Sequence, residues 1–187
     1  MKTKLTLLFL TLILGACSTG GSTPQPLSAP LPTDTAPPPT QDASSPAQCG
    51  YQWAYQALPD LTAQFNGMIQ SIIPNAVAQA AAFGENCVAA DGRIVFFSAM
   101  ETDFYITVTV EALDDYETFG DWIYEVMLIV DGIPPEDLAG PQPGFVEFRF
   151  EKSPAENITF RVPIQGYFET AGEKTGEELF RLFYTTP

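Results

Sequence analysis

No histidine occurs anywhere in the 187 residues. That removes the side chain whose ordinary pKa lies nearest neutrality and that most often serves as general acid or base. Serine and cysteine hydrolase triads that need histidine are therefore excluded. Basic residues are scarce, with 8 Lys and Arg against 23 Asp and Glu and a formal net charge of −15. So acidic a surface repels phosphate backbones and anionic headgroups, which disfavours nucleic-acid binding and electrostatic docking on a membrane. Long hydrophobic runs are also missing. The apolar stretch Leu5 to Leu14 is interrupted by Thr6 and Thr11, whereas a spanning helix needs roughly 20 predominantly apolar residues. No internal repeat of a solenoid period is present.

What the N-terminus does contain is a positive start at Lys2 and Lys4, the short apolar run, and Leu14-Gly15-Ala16-Cys17 directly behind it. This layout resembles the signal peptide and lipobox of bacterial lipoproteins. The resemblance implies cleavage before Cys17, so that residues 1–16 are the signal peptide, and acylation of the Cys17 thiol with palmitate-type chains. Loss of Lys2 and Lys4 would take the net charge from −15 to −17. Each buried methylene contributes roughly 0.8 kcal/mol, and a lipoprotein cysteine carries several chains, so stable anchoring is expected. The domain would then face the periplasm or the exterior of the cell envelope. Ser18 resembles the residue following the cysteine in lipoproteins that are not retained in an inner membrane.

Residues 17–48 form the next region. Pro24, Pro26, Pro30, Pro32, Pro37, Pro38, Pro39 and Pro46 stand among Ser, Thr, Ala and Gln, with almost no large apolar side chain. Such a segment buries too little apolar surface to fold, and about 30 residues of extended polyproline II reach on the order of 90 Å. It reads as a spacer that holds a single acidic domain, residues 49–187, away from the bilayer. With Cys17 assigned to lipid, Cys49 and Cys87 remain as an even pair in an oxidising compartment and are expected to form a disulfide. A free reactive thiol or a metal pair is the alternative, though no histidine occurs and no third soft ligand remains.

Within the domain, Leu58-Pro59-Asp60 opens a helical pattern in which Leu61, Phe65, Met68 and Ile72 recur at spacings of four and three, with Pro74 as its stop. Asn75 to Phe83 is ambiguous, since its alanines favour a helix and its brevity between Pro74 and Gly84 a strand; it is read as a strand. Ile94 to Phe97 follows the Asp91-Gly92 turn. Phe104, Ile106, Val108 and Val110 alternate with polar residues, and Ser98 to Thr102 suggests a hairpin turn between these two strands. A helix follows, with Asp114 and Glu117 at capping-box spacing and Phe119, Ile123, Val126 and Val130 as its core stripe. Two further strands carry Val146, Phe148 and Phe150, then Ile158, Phe160, Val162 and Ile164, with Lys152 to Asn157 as their turn. Thr175 and Glu178 signal a last helix bearing Leu179, Leu182 and Phe183 and a Glu177–Arg181 pair. The expected fold is α+β, a mostly antiparallel sheet with helices packed on one face, in the order α-β-β-β-α-β-β-α.

Chemistry has few footholds on this scaffold. Glu101 and Asp103 flank Thr102 and would suit a paired-carboxylate hydrolase acting on envelope glycans, if they faced one another across a cleft. In a chain so rich in carboxylates they equally fit solvated turn positions. Glu111, Asp114, Asp115, Glu117 and Asp121 would suit calcium, but their spacing does not match an EF-hand, and helix capping accounts for acidic residues there. No metal site and no cofactor is expected. Tyr51, Trp53 and Tyr55 alternate just after Cys49, as a recognition strip for sugar or peptide would, with Trp122 and Tyr124 as further aromatics. The reading is a non-enzymatic, lipid-anchored binding domain with a protein or cell-wall partner. The alternatives are the carboxylate hydrolase and a structural subunit of an envelope complex.

Overall fold

Residues 49–185 are described by the computed structural model, and they belong to one compact unit. The expected signal peptide, the expected lipidation site Cys17 and the expected proline-rich spacer lie outside the described residues. The alternating stretches form five strands, β1 (Gly50–Ala57), β2 (Ala76–Val88), β3 (Ile94–Thr109), β4 (Gln142–Ser153) and β5 (Glu156–Pro163). Four helices accompany them, α1 (Pro59–Ile72), α2 (Tyr116–Asp131), α3 (Ile164–Thr170) and α4 (Gly176–Phe183), with a 3-10 turn at Pro135–Asp137. The strands lie in sequence order in a single sheet. Three pairings are antiparallel and β3–β4 is parallel. The fold is therefore α+β with a mixed, mostly antiparallel sheet. A parallel pair needs a long crossover, and α2 supplies it. Among the described residues no helix is long and apolar enough to cross a membrane.

Periodicity located β4 and β5 correctly: Val146, Phe148 and Phe150 are buried, as are Ile158 and Val162. Of the ambiguous stretch Asn75 to Phe83, all but Asn75 falls in β2. Three details differ from the sequence reading. An additional strand, β1, precedes α1, and an additional helix, α3, begins at Ile164, whose place in the alternation suggests the last strand instead. Ile94 to Phe97 and Phe104 to Val110 are not a hairpin, because β3 runs through both, paired with β2 along its length. The apolar runs are out of phase because Phe83 pairs with Glu101 while Gly84 pairs with Ala99, leaving Met100 as an inserted residue. A Cβ on Gly84 would collide with the Ser98 carbonyl, so the bulge requires glycine.

All the helices bury against one face of the sheet. Leu61, Phe65 and Ile69 of α1, the Phe119–Ile123–Val126–Val130 stripe of α2, and Leu179 and Phe180 of α4 join the inward residues of β2 to β5 in one core. Met68 and Ile72 are only half-buried at its margin, and Leu182 is exposed. Aromatic stacking fills the centre: Phe119 and Phe150 lie 4.1 Å apart with ring planes 7° from parallel.

Two local devices join distant parts of the chain. β2 extends beyond the reach of β1, and α1 lies along that bare edge. Thr62 both donates to and accepts from the Ala80 backbone, Asn66 accepts from the Ala78 amide, and Gln70 donates to the Ala76 carbonyl. Four helical residues rise about 6 Å and two strand residues about 6.6 Å, so these side chains match the strand's alternate backbone groups. The second device caps α4. Thr175 makes no side-chain cap; instead Asp121 accepts from the Gly176 amide at 3.0 Å and Glu117 from the Glu177 amide at 2.9 Å. The cap of α2 is Asp115, which accepts from the Thr118 amide, one residue later than the Asp114 spacing suggested.

Candidate functional site

The face of the sheet opposite the helices carries no covering layer among the described residues. Alternation places Tyr51, Trp53 and Tyr55 of β1 on that face, where they are 61%, 64% and 56% exposed. Trp53 stacks on Phe83 of β2 at 5.3 Å, and Tyr55 lies against the same ring at 5.0 Å. Further across, the Tyr105 ring meets Phe145 edge-on at 5.7 Å, and the Arg161 guanidinium lies 4.1 Å over the Phe145 centroid. Arg161 also donates to Glu147 at 2.9 Å. The result is a band of aromatic rings that starts at Trp53 on one edge strand and ends at Arg161 on the other.

Beneath this band lies Asp103. It projects into the register shift where β3 meets β4 between Thr102 and Phe104, and none of its surface is exposed. Oδ1 accepts from the Phe145 amide at 3.2 Å, while the buried Oδ2 has no partner among the described residues. Gly144 leaves the space that the carboxyl occupies, since a Cβ there would collide with it. Burial pushes the Asp103 carboxyl up from 3.8 to about 6; the Phe145 amide and Arg161 lower it, and Glu101 and Glu147 raise it. The Tyr105 phenol is also driven above its usual range, by burial first and then by Asp103 and Tyr55.

Glu101 and Asp103 do not face each other across a cleft. They are two positions on one strand, and Asp103 is wholly enclosed. A cleft of about 430 Å³ lies at the β3–α2 junction, but of the five acidic residues considered for calcium only Glu111 and Asp115 line it. Asp115, Glu117 and Asp121 are engaged in helix capping. Among the described residues no group of three or more metal-ligating side chains comes together. Trp122 packs at the core margin against Phe119 and Phe150, and Tyr124 is likewise half-buried there. Cys49 and Cys87 form a disulfide, with Cα atoms 5.0 Å apart, that ties the start of β1 to β2.

Sequence alternation thus found the β1 strip but missed Phe83, Tyr105, Phe145 and Arg161 as its continuation. The signal was available only in part: Tyr105, Phe145 and Arg161 occupy outward positions of their strands, and cross-strand register is needed to bring them together. No family model, no curated protein and no solved structure matches this chain.

Proposed function

We propose that this chain is a lipid-anchored, extracytoplasmic binding module that engages a protein or cell-wall partner through the open face of its sheet and performs no chemistry there. The observation that carries this reading is the exposure of Tyr51, Trp53 and Tyr55 on one face, with Trp53 and Tyr55 held by Phe83. Large rings standing more than half in solvent lose apolar contact with water only when something covers them. Being braced by stacking, they pay little further ordering on binding. The hydrolase reading has less support, because Asp103 offers a substrate no exposed atom.

The anchoring half of the proposal rests on Leu14-Gly15-Ala16-Cys17 and, more loosely, on the Cys49–Cys87 disulfide, which suits an oxidising compartment. Cys17→Ala is expected to release the protein from the membrane pellet on cell fractionation; a variant still wholly sedimenting with membranes would refute the lipid anchor. For the binding face, purified cell-wall polymer and solubilised envelope proteins are the probes. Trp53→Ala is expected to weaken capture at least about tenfold without altering the thermal midpoint, and undiminished capture would discard the face as the binding surface.

A further inference from the structure

We infer that two copies of this chain associate by antiparallel pairing of β1 with β1 about a two-fold axis through Trp53, joining their sheets into one. The inference goes beyond the binding reading, because it concerns the backbone edge of β1 rather than its aromatic face.

Among the described residues, β1 is the one sheet edge left without protection. Its ladder to β2 is unbroken over all eight residues, and its sequence, GYQWAYQA, holds no charge and no proline. On its other side it pairs with nothing among the described residues. The remaining edges are blunted. Thr62, Asn66 and Gln70 of α1 cover the bare part of β2. β5 carries Glu156, Arg161 and Pro163. The part of β3 that runs past β4 is interrupted by register shifts on its β2 side, at Phe83/Gly84 and Cys87/Val88. Charge, proline and bulges are the usual means by which sheet edges avoid pairing, and an edge lacking all of them is a template for strand addition.

Charge and symmetry select a second copy as the occupant. A chain with a net charge of −15 repels its own copies over most of its surface, so self-contact requires a carboxylate-poor flank. From Cys49 to Gly84, across β1, α1 and the start of β2, Asp60 is the only charged residue among the chain's 8 basic and 23 acidic ones. Pairing about Trp53 sets Tyr51 opposite Tyr55 of the second copy, Trp53 opposite its counterpart, and Gln52 opposite Ala54. No like charges meet, and the three aromatic pairs on one face contribute roughly 0.2–1 kcal/mol each. An axis perpendicular to the sheet keeps the helices of both copies on the same side, so the two aromatic bands become continuous. The disulfide already fixes the start of β1, which lowers the ordering cost of association. The chain's own spacer fits the edge poorly, because its prolines have no amide to offer the ladder.

The test uses the full chain with its disulfide intact and with Cys17→Ala, so that no lipid drives association. Sedimentation equilibrium from micromolar to millimolar concentration is expected to show a monomer–dimer equilibrium. Amide exchange at alternate residues of β1 should slow as the dimer grows, a readout that needs no further variant. Gln52→Lys combined with Gln56→Lys places like charges along the seam on the side away from Tyr51, Trp53 and Tyr55. It should weaken dimerisation at least tenfold, with partial recovery at high salt and no effect on partner capture. A monomer at every concentration, a dimer whose β1 amides exchange as fast as the monomer's, or a dimer indifferent to the lysines overturns the inference. Protection of β1 that appears only with an added peptide overturns it in favour of strand addition by a different partner. None of these outcomes touches the binding reading, which stands or falls with Trp53→Ala.

Discussion

Opening the Cys49–Cys87 bridge, by reduction or by Cys49→Ala with Cys87→Ala, is expected to lower the stability of the folded domain by about 4 kcal/mol. The residues are 38 positions apart, and in the chain-entropy model a closed loop of that length restricts the unfolded ensemble by this amount. Denaturant titration of oxidised and reduced protein, compared at constant slope, measures the difference. The structure also says where the loss is felt first. β1 is exposed along almost its whole length, with only Ala54 half-buried, so burial of apolar surface contributes little to holding it. Its ladder to β2 and the bridge at its N-terminal end are what keep it in place. Reduction should therefore raise amide exchange in β1 before it affects β4 and β5, a local opening below the global one. A loss shared evenly by all strands, or one below about 1 kcal/mol, would show that β1 does not depend on the bridge. Capture by the aromatic strip should fall together with β1 order, since Trp53 and Tyr55 keep their place only while β1 stays paired.

The parts of the fold legible in the sequence are those governed by local period. Val146, Phe148 and Phe150 alternate because one face of β4 is buried, and Phe119, Ile123, Val126 and Val130 recur as they do because one side of α2 meets the sheet. The parts that were not legible depend on partners distant in sequence. Ser98 to Thr102 separates two apolar runs as a hairpin turn would, yet each side of the inserted Met100 has a strand partner in β2, so the interruption is a bulge within one strand. The parallel β3–β4 neighbours are separated by a whole helix. Glu117 and Asp121 look in the sequence like acids of the α2 N-terminal region or metal ligands, whereas they cap α4, 60 and 55 positions away. The site divides in the same way. Tyr51, Trp53 and Tyr55 stand out as aromatics alternating with polar or small residues, while the burial of Asp103 depends on what β4 and its neighbours place around it.

Replacing that residue, Asp103→Asn, should make the domain more stable at neutral pH by up to about 3 kcal/mol while leaving it nearly unchanged at pH 4. The sign follows from the direction of the shift. Burial raises the folded-state pKa from 3.8 to about 6, so the folded protein disfavours the ionised carboxylate. The resulting stability is fully present below pH 3.8, falls as pH rises and the unfolded chain ionises first, and is lost once pH has passed about 6. A displacement of this size corresponds to roughly 3 kcal/mol. Asparagine keeps an oxygen to accept from the Phe145 amide, which Asp103 Oδ1 accepts at 3.2 Å. It also puts a neutral amide where Oδ2 has no partner among the described residues, much as the protonated acid puts a neutral group there at low pH. Repulsion among the other carboxylates affects parent and variant almost equally, so the difference between their stability curves isolates this one group. Denaturant midpoints collected from pH 4 to 8 should therefore diverge between pH 4 and about 6 and run parallel above it. Curves that stay parallel throughout would mean that the Asp103 carboxyl is solvated or paired at neutral pH, and that Tyr105 and Phe145 do not seal it.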